Sequence, residues 1–162
     1  MHLEDLPLDV GYASEEVSLI NAQGKAQVIG GQNGKTQLIL TTPYIDEEFL
    51  QELSELNSIL PKGGDYEVTA SLVVANDSHT NPNLEKITFL IDSDDTFGDF
   101  YATRLKGAPY NSEFTKALIL ISKDGAIFYD EFVKDINDKF NIDTLLRKIS
   151  AAQTCYTGKG CH

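Results

Sequence analysis

Several residue types are scarce in this sequence, and each shortage excludes a class of protein. Only 2 of its 162 residues are cysteines, too few for the disulfide framework of a small secreted domain. Lys and Arg number 13 against 25 Asp and Glu. The resulting net charge of −12 argues against nucleic acid and anionic membranes as partners, because phosphate binding needs clustered cations. No apolar run approaches the roughly 20 residues of a membrane span, so we expect no membrane partner.

Histidines are also few, and the first twenty residues lack the apolar segment of a secretory signal. His2, His79 and His162 are too few and too scattered for an obvious metal centre, and we predict neither a metal nor a cofactor. The first twenty residues carry five carboxylates and no apolar core of a secretory signal. The compartment stays open: we expect the cytoplasm if the chain is complete, and the periplasm if a signal has been removed.

What is present is a hydrophobic fraction of 41%, enough for a packed core. We predict one domain over residues 1–152 and a Cys-containing tail over 153–162. The apolar patterns predict strands near 17–19, 26–29, 37–42, 66–75, 87–91, 117–121 and 126–132, and helices near 46–60, 96–105 and 142–152. This order is typical of an α/β, thioredoxin-like fold in which an N-terminal β-hairpin precedes a central mixed sheet flanked by helices. The most apolar run, 117–121, is expected to be the most central strand.

The first long helix has clear boundary signals. Pro43 ends the preceding strand, and Asp46 is a suitable N-cap. Glu47 and Glu48 would then occupy the first turn, where the helix dipole favours acidic side chains. Apolar residues recur at helical spacing after them, at Phe49, Leu53, Leu56 and Leu60.

Short motifs in a fixed order add a resemblance to a known family. They are Leu6-Pro7, Val10-Gly11, the ungapped block from Gly34 to Asp46, Phe97-Gly98 with Tyr101, and Lys116 to Ser122 with Asp124-Gly125. Over about residues 5–150, the sequence resembles the thiol peroxidase branch of the peroxiredoxins. The resemblance implies a thioredoxin-like fold of the peroxiredoxin type.

The same resemblance implies a degenerate peroxidatic pocket around Pro43, Glu47, Leu50 and Ser93. Carried along the ungapped block, the family's peroxidatic cysteine corresponds to Leu50 and its threonine to Glu47. The family's arginine falls near Ser93, in an acidic run without a cation. The segment 76–83, which would carry the resolving cysteine, has none. We therefore expect no retained catalytic residue, and we expect Leu50 to be largely buried because only packing would maintain it.

Two function classes follow. The first is a non-catalytic binding or scaffold protein in a redox context. The second is a thiol–disulfide oxidoreductase or peroxidase that uses Cys155 and Cys161. The resemblance implies thioredoxin or another redox protein as the partner, and a homodimer as the assembly.

The tail leaves several interpretations open. Cys155 and Cys161 are separated by five residues that include two glycines, so they could pair as a disulfide in an inert tail. They could also form a redox-active dithiol, in which Lys159 favours a thiolate. Covalent haem attachment would require a shorter Cys–Cys spacing, and zinc would require His162 and a fourth ligand.

Other polar and aromatic groups receive simple interpretations. The acids at 92, 94 and 95 are interpreted as a helix N-cap beside a charged loop, and those at 46–48 as a solvated first turn. We expect His79 to be exposed. Tyr110 and Phe114 either line the mouth of the old pocket or pack beneath a loop.

Overall fold

The computed structural model of the chain describes residues 1–61 and 66–154. Within these ranges the strands are β1 (His2–Leu3), β2 (Val17–Asn21), β3 (Ala26–Ile29), β4 (Thr36–Thr41), β5 (Val68–Val74), β6 (Ile87–Ile91), β7 (Leu105–Lys106), β8 (Ala117–Ile121) and β9 (Ile127–Phe132). The helices are α1 (Glu47–Ile59), α2 (Thr96–Tyr101) and α3 (Ile142–Thr154).

Seven strands form one mixed sheet in the order β3-β2-β6-β5-β4-β8-β9. The central strands β4, β5 and β6 are parallel, and the β2–β3 hairpin and β8–β9 extend the sheet on either side with antiparallel pairing. The two-residue strands β1 and β7 pair separately. The predicted α/β fold with its N-terminal hairpin and central mixed sheet is confirmed.

The prediction that 117–121 is the most central strand is wrong. β8 lies second from one edge, and β5 lies at the centre. All five residues of β8 are nevertheless buried, because successive side chains pack into the hydrophobic clusters on the two faces of the sheet. The apolar composition of β8 therefore reflects the burial of both of its faces and does not indicate its position in the strand order.

Each face of the sheet has its own hydrophobic cluster. On one face, Leu38 and Leu72 pack with Leu53 of α1 and Leu145 of α3. On the other face, the cluster is formed by β-strand residues and by the aromatic rings of α2, among them Ile39, Val73, Leu90, Phe97 and Tyr101. The alternation of side chains along β4 and β5 assigns successive residues to these two clusters.

Helix α1 forms as the sequence predicts. Asp46 is the N-cap, and its Oδ1 accepts a hydrogen bond of 2.9 Å from the Phe49 amide. Phe49, Leu53 and Leu56 are buried at helical spacing. Glu52, which was not among the predicted apolar residues of the helix, is buried on the same face.

The other two helices differ from their predicted bounds. α2 ends at Tyr101 instead of near Leu105, because Ala102 adopts a left-handed conformation with φ of 54° that terminates the helix. α3 continues to Thr154, so Gln153 and Thr154 belong to the helix and do not lead out from Ala152 as expected. Gln153 is held there by a 2.5 Å hydrogen bond from its Nε2 to the Tyr66 carbonyl.

No helix in the described ranges is both long enough and apolar enough to cross a membrane.

Candidate functional site at the amino end of α1

The amino end of α1 lies at the edge of the sheet where β4 ends, and it holds most of the residues that the sequence singled out. Pro43 is buried, whereas Glu47 is exposed. Two amides of the first turn are already occupied: Phe49 donates to the Asp46 side chain, and Leu50 donates to the Asp46 carbonyl at 2.9 Å. The acidic first turn is solvated, as predicted.

Leu50 is not largely buried, and that prediction is wrong. Its exposed fraction is 37%. The buried stripe of α1 runs through Phe49, Leu53 and Leu56, and a residue one position after Phe49 is rotated by about 100° away from that stripe. Leu50 therefore presents an apolar side chain to solvent beside the exposed carboxylate of Glu47.

Ser93 is exposed in the loop after β6, and β6 is separated from β4 by the whole of β5. The acidic run around Ser93 contains no cation of its own, but Arg104, which lies further along the chain, contacts acidic residues next to it. Arg104 Nη1 lies 2.8 Å from Asp99 Oδ1, and Arg104 Nη2 donates to the Asp95 carbonyl at 3.0 Å.

The same run caps α2, but through an unexpected residue. Asp95 occupies the N-cap position in a left-handed conformation and makes no capping bond with its side chain. The buried carboxylate of Asp92 accepts the amides of Phe97 and Gly98 instead, at 3.1 and 3.0 Å. Burial raises the pKa of Asp92, while these two amides act in the opposite direction.

Lys116 forms a buried ion pair with α1, and sequence reasoning missed it. Its Nζ lies 2.5 Å from Glu52 Oε1 and donates to the Asp138 carbonyl at 2.5 Å. Glu52 Oε2 accepts the Phe140 amide at 2.7 Å. The exposed fractions of the Lys116 and Glu52 side chains are 6% and 5%. The ammonium also lies 5.2 Å from the centroid of the Phe49 ring.

Two sequence signals could have identified this pair. Lys116 directly precedes the apolar strand β8, and Thr41↔Ala117 pairing places the start of β8 beside the end of β4. Glu52 lies on the apolar stripe of α1 between Phe49 and Leu53. A charged residue in such a stripe is expected to have a buried partner of opposite charge.

The cleft beside this ion pair is nearly filled. Its lining residues are Thr42, Tyr44, Asp46, Glu48, Phe49, Glu52, Lys116, Ile136, Asn137 and Lys139, and its volume is about 10 Å³. That volume accommodates about one water molecule. Tyr44 closes one side, donating its hydroxyl to Asn137 Oδ1 at 2.7 Å, and burial raises its pKa, with a smaller contribution from Asp46.

The two aromatic residues near the old pocket mouth have different roles. The ring of Tyr110 lies 5.3 Å from the ring of Tyr44, so Tyr110 covers this edge of the site. Phe114 is buried in the α2-side cluster, with its ring 5.5 Å from that of Phe97. Phe114 is therefore a core residue.

The expectation that His79 is exposed is wrong. His79 Nε2 lies 2.7 Å from Glu113 Oε2, and both side chains are largely buried. Asn76 Nδ2 donates to the other oxygen of Glu113 at 2.6 Å. These contacts attach the loop after β5 to the segment before β8, and they explain why a histidine in a polar loop is not solvated.

No group of three or more His, Cys, Asp or Glu side chains capable of holding a metal ion occurs within residues 1–61 and 66–154. Cys155 and Cys161 lie outside the described residues. Residues 1–61 and 66–154 therefore contain no cysteine.

Comparison with known proteins relates this architecture to solved structures. The peroxiredoxin-like protein from Aquifex aeolicus has a TM-score of 0.81 at 20% identity, covering 93% of this chain and 91% of that chain. The thiol peroxidase from Chromobacterium violaceum has a TM-score of 0.73 at 18% identity, with coverages of 94% and 91%. Mycobacterium tuberculosis AhpC has a TM-score of 0.67 at 12% identity, with coverages of 92% and 95%. Neither a family model nor a curated protein matches the sequence. The chain therefore has the thioredoxin-like fold of the peroxiredoxins.

Proposed function

We propose that this chain is a non-catalytic protein of the peroxiredoxin fold that acts as a binding or scaffold protein in a redox context. The observation that carries the proposal is the state of the amino end of α1. The resemblance assigns the family's reactive thiol to Leu50, a side chain that carries no nucleophile and is 37% exposed. Peroxide reduction by the family's route requires a nucleophile at this position, and its absence supports a non-catalytic role.

The electrostatics of the site support the same proposal. Asp46, Glu47 and Glu48 place three carboxylates at the start of the helix, where an anionic intermediate would be repelled. Of the two lysines that line the cleft, Lys116 is neutralised by Glu52 and is nearly inaccessible to solvent, whereas Lys139 is exposed. An anion that bound Lys116 would have to displace a buried ion pair.

Leu50 is suited to binding a partner protein, because its apolar side chain is exposed and has no reactive group. An exposed leucine beside carboxylates fits a partner with an apolar patch bordered by basic residues. The resemblance points to thioredoxin or another redox protein as this partner.

A second candidate rests on the sequence of the tail. Cys155 and Cys161 are the chain's two cysteines, and a thiol–disulfide oxidoreductase or peroxidase using them would not require a functional site at α1.

Titration with thioredoxin tests the binding proposal, using nuclear magnetic resonance to follow the amides of α1. The Leu50→Ser variant should bind about tenfold more weakly, as expected for truncation of a central apolar contact. Leu146→Ser is the matched control, because Leu146 is also 37% exposed but lies on α3. Absence of saturable binding, or equal weakening by both substitutions, would contradict the proposal.

The assembly is part of the same proposal. Members of the family that the chain resembles are often homodimers, and light scattering should give a molar mass twice that of the chain. A monomer mass at all concentrations would contradict it.

A further inference from the structure

A second site lies at the opposite edge of the sheet and is independent of the proposed function. The amino ends of the parallel strands β4, β5 and β6 border a cavity of about 440 Å³. This volume is within the usual range for small-molecule sites, which is roughly 300–1,000 Å³. The cleft at the amino end of α1, by contrast, has space for about one water molecule.

The floor of this cavity is a polar continuation of an apolar sheet face. Val73 and Leu90 belong to the α2-side cluster. Two residues earlier on the same face, β5 carries Ser71 and β6 carries Thr88, and both line the cavity. The change from aliphatic to hydroxyl side chains coincides with the opening of the cavity.

Strand register places these hydroxyls side by side. Ser71 of β5 is the direct partner of Thr88 on β6, and Thr69 is the partner of Gln37 on β4. Neighbouring strands are about 4.8 Å apart, so these hydroxyls form one row across the floor of the cavity.

Ser71 is the most informative member of the row. Its exposed fraction is 6%, yet its hydroxyl has no hydrogen-bond partner within residues 1–61 and 66–154. Among the described residues, the fully enclosed side-chain oxygens without a partner are Thr36 Oγ1 and Thr103 Oγ1, so the Ser71 oxygen is accessible from the cavity and can bond to water or to a ligand. Thr69, by comparison, donates to the Thr36 carbonyl at 3.5 Å.

Charged side chains surround the cavity in equal numbers of each sign. Lys35 pairs with Glu67 at 3.4 Å, and Lys86 Nζ donates to the Leu60 carbonyl at 2.9 Å. With Glu85, the lining holds two cations and two anions. A cavity with balanced charge inside a protein of net charge −12 does not select an ionic ligand.

We propose that this cavity binds a small uncharged polyhydroxyl compound, such as a polyol or a sugar, through the Ser71 and Thr88 hydroxyls. Each hydroxyl is both a donor and an acceptor, and this matches the hydroxyls of such a ligand. The side-chain amide of Gln37 is engaged with Gly30 and Gly31, so it fixes the wall of the cavity and does not compete for the ligand.

The test is titration of the full chain with glucose, myo-inositol and trehalose, monitored by the backbone amides of 69–71 and 87–89. At least one of these probes should give saturable shifts, and glucuronate and glucosamine should bind more weakly than glucose. Ser71→Ala and Thr88→Val should each weaken binding about fivefold to tenfold, as expected for loss of one hydrogen bond.

Ser18→Ala is the matched control, because Ser18 is an exposed serine of β2 outside the cavity, and its substitution should leave binding unchanged. The proposal is overturned if no neutral probe gives saturable shifts, if a charged probe binds best, or if Ser71→Ala binds as tightly as the wild type. Amide spectra of each variant establish that the fold is retained. Loss of this binding would not affect the thioredoxin titration, so the two proposals fail independently.

Discussion

At the scale of single residues, Lys116 and Glu52 form a buried ion pair at the amino end of α1. Lys116→Met would leave the Glu52 carboxylate buried with only the Phe140 amide as a partner. Removing one member of a buried pair costs about 3–5 kcal/mol, and we expect a loss of this size in urea unfolding. Adding Glu52→Leu should restore much of the stability, because no unpaired charge then remains buried.

Lys35→Met is the control for that experiment. The Lys35–Glu67 pair is more exposed, and such pairs contribute about 0–1 kcal/mol. A loss for Lys116→Met no larger than the loss for Lys35→Met would show that the buried pair has little structural importance.

Leu50 allows a direct chemical test of the same site. Leu50→Cys, in a Cys155→Ser/Cys161→Ser background, should not acquire rapid peroxide reduction. The three carboxylates at 46–48 disfavour a nearby thiolate, so the pKa of the new thiol should remain at or above its free value of about 8.5. Alkylation rate against pH measures this value, and a pKa well below 8 would contradict the assignment of the pocket.

At the scale of secondary-structure elements, Asp92 and Asp95 contribute differently to the capping of α2. Asp92→Ala removes the acceptor of two amides and should lower stability by about 1–2 kcal/mol. Asp95→Asn, at the formal N-cap, should change stability by less than about 0.5 kcal/mol, because Asp95 makes no capping bond and asparagine tolerates its positive φ. Denaturant unfolding measures both, and the reverse order would contradict the assignment.

Strand β9 carries a carboxyl group whose ionisation opposes folding. Burial raises the pKa of Asp130, and the charge of Asp9 raises it further. A raised folded-state pKa means that the folded protein binds this proton more tightly, so stability decreases as the pH rises above the unfolded value of about 3.9.

Asp130→Asn should therefore be more stable than the wild type at pH 7, and this gain should shrink as the pH is lowered toward 3. Urea unfolding at the two pH values measures the difference. Asp5→Asn, at an exposed position, is the control. A gain that is larger at pH 3 than at pH 7 would contradict the assigned direction of the pKa shift.

At the scale of the whole molecule, the tail should contribute little to stability. A disulfide between Cys155 and Cys161 would close a short loop and would restrict the unfolded chain only slightly. Cys155→Ser/Cys161→Ser should therefore melt within a few degrees of the wild type under oxidising conditions. A decrease equivalent to several kcal/mol would show that the tail is a structural element.

The fold was largely predictable from the sequence, because the apolar periods, Pro43 and Asp46 are local signals. The site was less predictable, because it depends on contacts between distant segments. Lys116 and Glu52 are 64 residues apart, and His79 and Glu113 are 34 residues apart. The apolar content of β8 could not give its position in the sheet, since burial of both faces produces the same composition wherever the strand lies.

The most direct test of the central claim, that the amino end of α1 does not reduce peroxide, is peroxide consumption by the Cys155→Ser/Cys161→Ser variant. This variant has no cysteine, and NADPH oxidation with thioredoxin and thioredoxin reductase reports turnover. We predict that hydrogen peroxide is consumed at the rate of the protein-free control, by this variant and by the wild type alike. Turnover by the wild type alone would favour an oxidoreductase that uses the tail. Turnover by the cysteine-free variant would contradict the account of the site.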